Sequence, residues 1–114
     1  MKVIITGGAG FIGSHLADFL IDSKYEVVVI DNLSIGRIEN INHIIDHPSF
    51  TFFNADITDF KSIESLFAGV DLVFHLAALA DIVPSIENPT EYYKSNADGT
   101  FNVLQACRKY DVKV

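Results

Sequence analysis

Val3-Ile4-Ile5-Thr6-Gly7-Gly8-Ala9-Gly10-Phe11-Ile12-Gly13 compresses three elements into the start of the chain. An apolar run reads as a buried strand, the glycines mark a tight turn, and a helix follows. The apolar residues Ile12, Leu16, Phe19 and Leu20 fall at i, i+4, i+7 and i+8, the stripe of an amphipathic helix. Gly7 and Gly8 permit the turn off the strand, Gly10 lets backbone N–H groups approach a pyrophosphate, and Gly13 lets the helix lie close to the strand. An anion at the helix N-terminus would meet unpaired N–H groups and the positive end of the helix dipole, with no basic side chain required. A bare Gly-x-Gly-x-x-Gly is a weak signal. Here a second apolar strand follows, Glu26-Val27-Val28-Val29-Ile30, and it ends in Asp31, eighteen residues after Gly13. Strand, glycine turn, helix, strand and acidic residue together read as a dinucleotide-binding loop.

Length and composition bound what this loop belongs to. The 114 residues suffice for one domain with a real core, and with 49% hydrophobic residues the chain is globular. The net charge of −7 argues against a nucleic-acid partner, which would need clustered Lys and Arg. No window approaches the roughly 18 apolar residues of a membrane span, so no membrane is expected, and the first apolar run breaks too early for a signal peptide. Cys107 is the single cysteine, which excludes an internal disulfide and suits a reducing cytoplasm. Its place in an apolar helical pattern predicts packing, not nucleophilic chemistry.

Along the chain, strand and helix signals alternate. The patterns predict strands over 2–6, 26–31, 50–55 and 70–76, and helices over 11–22, 59–68 and 89–109. Between the second and third strands, Asn32 to Gly36 reads as open loop, and Ile38, Ile41, Ile44 and Ile45 predict a helix that Pro48 stops. His43 and His47 stand four apart there, without the glutamate of a zinc-protease motif, and read as surface residues; no metal site is assigned. Asp59 and Asn88 precede helices as N-caps, with Pro89 at the first helical position. His75, ending the fourth strand, reads as a satisfied core histidine. Nearly all-apolar strands alternating with helices indicate α/β architecture, a doubly wound parallel sheet in the order 3-2-1-4. Val112-Lys113-Val114 looks like the start of a fifth strand, without which the fourth would be an open edge.

The residues also match a known family. The chain resembles the NAD-dependent epimerase/dehydratase branch of the extended short-chain dehydrogenases, and within it the UDP-glucose 4-epimerases and their nucleotide-sugar relatives. Five segments carry the resemblance: Thr6 to Leu16, Asp31-Asn32-Leu33-Ser34-Ile35-Gly36, Ala55-Asp56-Ile57, His75-Leu76-Ala77-Ala78 and Asn96-Ala97-Asp98-Gly99-Thr100. The resemblance implies a Rossmann fold, here its N-terminal half, with residues 1–114 forming an NAD-binding domain that stops before the catalytic segment and the sugar-binding domain.

It implies further that Phe11 and Ile12 line the pyrophosphate turn with Gly7, Gly10 and Gly13. Asp31 would accept from both adenosine ribose hydroxyls and repel a 2′-phosphate, favouring NAD over NADP despite the nearby Arg37. Asn32, Leu33, Ser34 and Gly36 would flank the adenosine end. Asp56 and Ile57 would meet the adenine, Leu76, Ala77, Ala78, Leu79 and Ala80 would lie along the cofactor, and Asn96 would support the site. The complete enzyme would take a nucleotide-sugar substrate, and a homo-oligomer fits the family.

No catalytic residue is assigned. The family's chemistry resembles hydride transfer from a sugar carbon to NAD, assisted by a tyrosine and a lysine four residues later. Tyr25, Tyr92, Tyr93 and Tyr110 are followed at that distance by Val29, Asn96, Ala97 and Val114. The reading is therefore the NAD-binding portion of a nucleotide-sugar epimerase, inactive by itself. The alternatives are a dehydratase or decarboxylase of the same family, or a non-catalytic NAD-binding module that pairs with a partner chain.

Overall fold

The computed structural model describes Met1–Val114. Four parallel strands, β1 (Lys2–Thr6), β2 (Glu26–Asp31), β3 (Phe50–Asn54) and β4 (Leu72–His75), form one sheet in the order β3-β2-β1-β4. This is the doubly wound arrangement the apolar runs predict. In register, Val3 pairs with Val27 on one side and Leu72 on the other, so β1 is central, and its Val3 to Thr6 are fully buried.

Alternation along the strands divides the core in two, because successive side chains leave opposite faces of a sheet. Ile4, Val28, Ile30 and Val73 face a cluster built on Ile63, Phe67, Val103, Ala106 and Cys107. Val3, Ile5, Val27 and Val29 face Ala17, Leu20, Ile21, Ile41 and Ile44. The first layer comes from α2 (Phe60–Ile63), a 3-10 turn over Glu64–Phe67, and α5 (Gly99–Tyr110). The second comes from α1 (Phe11–Asp22) and two 3-10 turns, Ile38–Asn40 and Asn42–Ile44. The sheet is thus buried on both faces, as parallel sheets require. Burial pushes the Cys107 thiol above its usual pKa, consistent with its packing role.

Three expectations are corrected. Helix α1 does not bury the stripe Ile12, Leu16, Phe19, Leu20: Ile12 is 70% and Phe19 65% exposed, whereas Gly13, Ala17, Leu20 and Ile21 are buried. That stripe has the same spacing displaced by one residue, a rotation of about 100°. Small residues win the inner face because the helix starts against the glycine turn: a Cβ on Gly13 would lie 2.5 Å from the Gly7 carbonyl oxygen. Secondly, the predicted helix after Gly36 is two 3-10 turns. Ile38, Ile41 and Ile44 recur every three residues, the period of a 3-10 helix, and Ile41 is fully buried while Ile45 lies outside that row.

Thirdly, the long helix predicted from Pro89 is interrupted. It runs as α4 (Pro89–Tyr93), a π-helical turn over Lys94–Asp98, and α5, preceded by a separate short helix α3 (Ile82–Glu87) that the apolar pattern does not predict. The end of the chain pairs as its strand-like look suggests, so β4 is not a bare edge: Val73 N–H donates to the Lys113 carbonyl at 2.7 Å, and Lys113 N–H to the Asp71 carbonyl at 3.2 Å. Asp59 and Asn88 hold the N-cap positions as expected, but neither side chain bonds the helix backbone; Asp59 accepts from the Ser62 hydroxyl instead.

Candidate nucleotide-binding site

In doubly wound sheets the ligand crevice lies beyond the carboxyl ends of the strands, where the strand order reverses. Between β1 and β4 the order reverses here, and a cleft with about 600 Å³ of empty space opens at that end. Each strand delivers its next residues to it: Gly7 and Gly10 from β1, Asp31, Asn32 and Ser34 to Gly36 from β2, Ala55 to Ile57 from β3, and Leu76 to Leu79 from β4.

The glycine turn is built by close approach. Gly7 has φ +71°, and a Cβ there would sit 2.8 Å from the backbone nitrogen of Ala77, so β4's exit can pass directly over the turn. Gly10 caps α1 without a side-chain hydrogen bond, and the first helical bond is from Ser14 N–H to the Gly10 carbonyl. The N–H groups of Phe11, Ile12 and Gly13 therefore precede the helix's own bonding, beside an open glycine.

Asp31 occupies the opposite lip. Its carboxylate is buried at 8% exposure, and its two oxygens are used separately: Oδ2 accepts from Ala9 N–H at 3.0 Å and Oδ1 from Leu33 N–H at 2.8 Å. Each oxygen keeps one acceptor position. A Cβ on Gly36 would lie 2.7 Å from Oδ2, so the loop after β2 closes tightly over the carboxylate.

Asp56 stands across the cleft. Burial pushes its carboxyl upward in pKa, but the backbone and hydroxyl of Thr58, the Asn32 side chain and the charge of Lys94 outweigh this and hold it below the usual carboxylate value. Asp56 Oδ1 accepts from Thr58 N–H at 2.9 Å and the Thr58 hydroxyl at 2.8 Å. Under the turn, Thr6 Oγ1 accepts from Leu76 N–H at 3.1 Å and Ala77 N–H at 3.3 Å. With both acceptor positions filled, its hydroxyl donates to His75 Nδ1 at 2.7 Å, and His75 Nε2–H donates to Thr100 Oγ1 at 2.8 Å. His75 is thus a neutral strut between β1, β4 and α5, and burial lowers its pKa.

The residues singled out in the sequence divide by placement. Gly7, Gly10, Asp31, Asn32, Ser34, Gly36, Asp56, Ile57, Leu76, Ala77 and Ala78 all line the cleft. Phe11, Ile12, Gly13, Leu33, Ala80 and Asn96 do not. Phe11 is 78% exposed with its ring against His15, and Gly13 lies beneath the turn. Leu33, at φ +60°, packs against the core while its N–H serves Asp31. Asn96 clamps the loop after β4, donating Nδ2 to the Leu79 carbonyl and accepting from Leu79 N–H, both at 2.8 Å. The π-turn leaves Ser95 on the cleft wall beside Leu79, and Ile30, Ile35 and Ala55 also line it. Of these, Leu79 lies in the run expected along the cofactor, Ile35 and Ala55 fall within the matched segments without being singled out, and Ile30 and Ser95 carry no motif signal; Ser95 is legible only once the helix is known to be interrupted. Away from the cleft, His43 Nε2–H donates to Asp18 at 2.7 Å, tying the second 3-10 turn to α1.

The family model described as GDP-mannose 4,6 dehydratase matches residues 4–114. A putative UDP-glucose 4-epimerase of Methanocaldococcus jannaschii is 44% identical over 96% of this chain and 35% of its own length. A UDP-glucuronic acid decarboxylase of Danio rerio is 38% identical over 99% of this chain and 26% of its own length. The crystal structure of a Thermus thermophilus UDP-glucose 4-epimerase in complex with NAD superposes with a TM-score of 0.86 at 39% identity, over 98% of this chain and 35% of that one. The chain therefore spans about a third or less of the length of the relatives it matches. With the family match, the Rossmann sheet order and the cleft at its switch point in agreement, the chain belongs to the GDP-mannose 4,6 dehydratase family, alongside epimerases and decarboxylases of nucleotide sugars.

Proposed function

We propose that residues 1–114 are the NAD-binding domain of a nucleotide-sugar epimerase of the UDP-glucose 4-epimerase type. Bound NAD would supply a reversible hydride acceptor for a sugar carbon. The observation that carries the reading is Asp31, a buried carboxylate at the end of β2 with one free acceptor position on each oxygen, facing a glycine turn whose helix N–H groups have no partner of their own. Such a carboxylate suits the two ribose hydroxyls, and the helix N-terminus suits the pyrophosphate. Asp56 and Ile57 would receive the adenine, and the small Ala77 and Ala78 would let the cofactor lie against the exit of β4. The relative solved with NAD supports this.

By itself the chain is expected to bind NAD without turning over sugar, since no tyrosine has a lysine four residues later. The sugar, the remaining domain and a cytoplasmic setting belong to the same proposal. Calorimetric titration with NAD and NADP tests it. Wild type should bind NAD more tightly than NADP, because Asp31 repels a 2′-phosphate. Asp31→Ala should narrow that ratio by about tenfold, the worth of one like-charge contact of about 1.4 kcal/mol. An unchanged ratio, or no NAD binding by wild type, would sink the assignment.

A further inference from the structure

Asn40 lies outside every motif and outside the cleft wall, yet it reaches the glycine turn. Its side-chain Nδ2 donates to the Ala9 carbonyl at 2.8 Å, across 31 residues of sequence. That carbonyl also accepts from Arg37 N–H at 3.0 Å, while Ala9 N–H donates to Asp31 Oδ2. Ala9 is thus gripped at both ends. The Ala9 carbonyl and the Gly10 N–H belong to one planar peptide unit, so a donor on the carbonyl fixes that plane, and with it the residue that opens α1.

Asn40 is itself well anchored. It ends the first 3-10 turn, its own N–H donates to the Arg37 carbonyl at 3.0 Å, and the adjacent Ile41 is fully buried in the core. The second 3-10 turn is tied to α1 through His43 and Asp18. A rigid segment therefore delivers one neutral donor to one peptide of the phosphate turn.

We propose that Asn40 is a positioning residue for the pyrophosphate of the bound dinucleotide, acting through the Ala9–Gly10 peptide. The inference rests on the cofactor reading above. It separates two halves of the ligand: the adenosine end meets the carboxylates of Asp31 and Asp56, whereas the phosphates meet the helix start that the Ala9–Gly10 peptide leads into. Removing the Asn40 amide should weaken ligands with a pyrophosphate and spare those without.

The test is equilibrium binding of ADP and of adenosine to the whole chain, as wild type, Asn40→Ala, Asn40→Asp and Asn40→Gln. The expected result is a loss of about five- to tenfold for ADP in Asn40→Ala, the worth of one neutral hydrogen bond, with adenosine held within about twofold. Asn40→Asp, which sets an acceptor against the Ala9 carbonyl, should lose at least as much, and Asn40→Gln should recover part of it. The Gly10 amide resonance should move in Asn40→Ala while that of Val103 stays in place. ADP binding equal to wild type, or equal losses for ADP and adenosine, overturns the proposal. Should Asn40→Ala lose its fold, the two affinities of Asn40→Asp decide the question. Wild type that binds adenosine and not ADP overturns the positioning role, whereas wild type that binds neither overturns the cofactor reading and this inference with it.

Discussion

Thr6, His75 and Thr100 show how one buried polar chain fixes protonation. Because two backbone N–H groups already fill the acceptor positions of the Thr6 hydroxyl, its proton goes to His75 Nδ1, and the ring must present a hydrogen at Nε2. A second ring proton would face the Thr6 hydroxyl with a donor and add charge where burial already lowers the pKa. The folded chain thus binds a proton at His75 less readily than the unfolded chain. Stability is therefore intact above the unfolded imidazole value of about 6.5 and falls as the pH drops through that value toward the lower folded one. Urea midpoints between pH 8 and pH 5.5 should decline accordingly, and His75→Gln should flatten the decline; an unaltered slope in that variant would count against the strut. Such residues differ in how far sequence reveals them. Asp31 and His75 could be placed because each ends an apolar strand, and a strand's end fixes what its last side chain meets. Asn40 could not, since its importance lies in a contact with Ala9 that no local spacing encodes.

Elements were legible where one period ran unbroken, as in β1, β2 and α5, and less so where two packing demands competed. The row Ile38, Ile41, Ile44 fits both a short α-helix and a 3-10 helix, and the buried Ile41 with the Asn40 bond to Ala9 selects the tighter one. The interruption at Lys94–Asp98 was hidden for another reason: helical residues run on either side of it, and only the contact of Asn96 with Leu79 shows what the extra residue accomplishes. Gly99, directly after the interruption, is where α5 lies close against Ile57. A Cβ there would lie 2.6 Å from Ile57 Cδ1, and the same helix holds the Ile57 backbone through Asn102, whose Nδ2 donates to its carbonyl at 2.9 Å. Gly99→Ala should gain roughly 0.5–1 kcal/mol from helix propensity but lose about 1–3 kcal/mol to overpacking, for a net loss on the order of 1 kcal/mol in urea denaturation. Since Ile57 lines the cleft, NAD affinity should fall in the same variant. A more stable Gly99→Ala protein with full affinity would show that Ile57 has room to move.

At the scale of the whole molecule, the two-faced parallel sheet followed from strands that are nearly all apolar, which only a sheet covered on both faces can bury, and its order from the doubly wound class this implies. The consequence is two cores separated by one layer of backbone, so that neighbouring Ile4 and Ile5 serve different clusters. Ile63 belongs to the first and Ile41 to the second, both fully buried. Each Ile→Val change removes one methylene and should cost about 0.5–1.5 kcal/mol. Sites that share no partner add, to within about 0.5 kcal/mol, whereas sites coupled through a shared cavity or a backbone shift do not. If the sheet isolates the two cores, the Ile63→Val, Ile41→Val double variant should lose the sum of the single losses in chemical denaturation. A deviation beyond about 1 kcal/mol would mean that strain passes through β1 from one face to the other. That result would matter for the cleft as well, because β1 leads directly into the glycine turn: packing under α5 would then reach that turn through the strand.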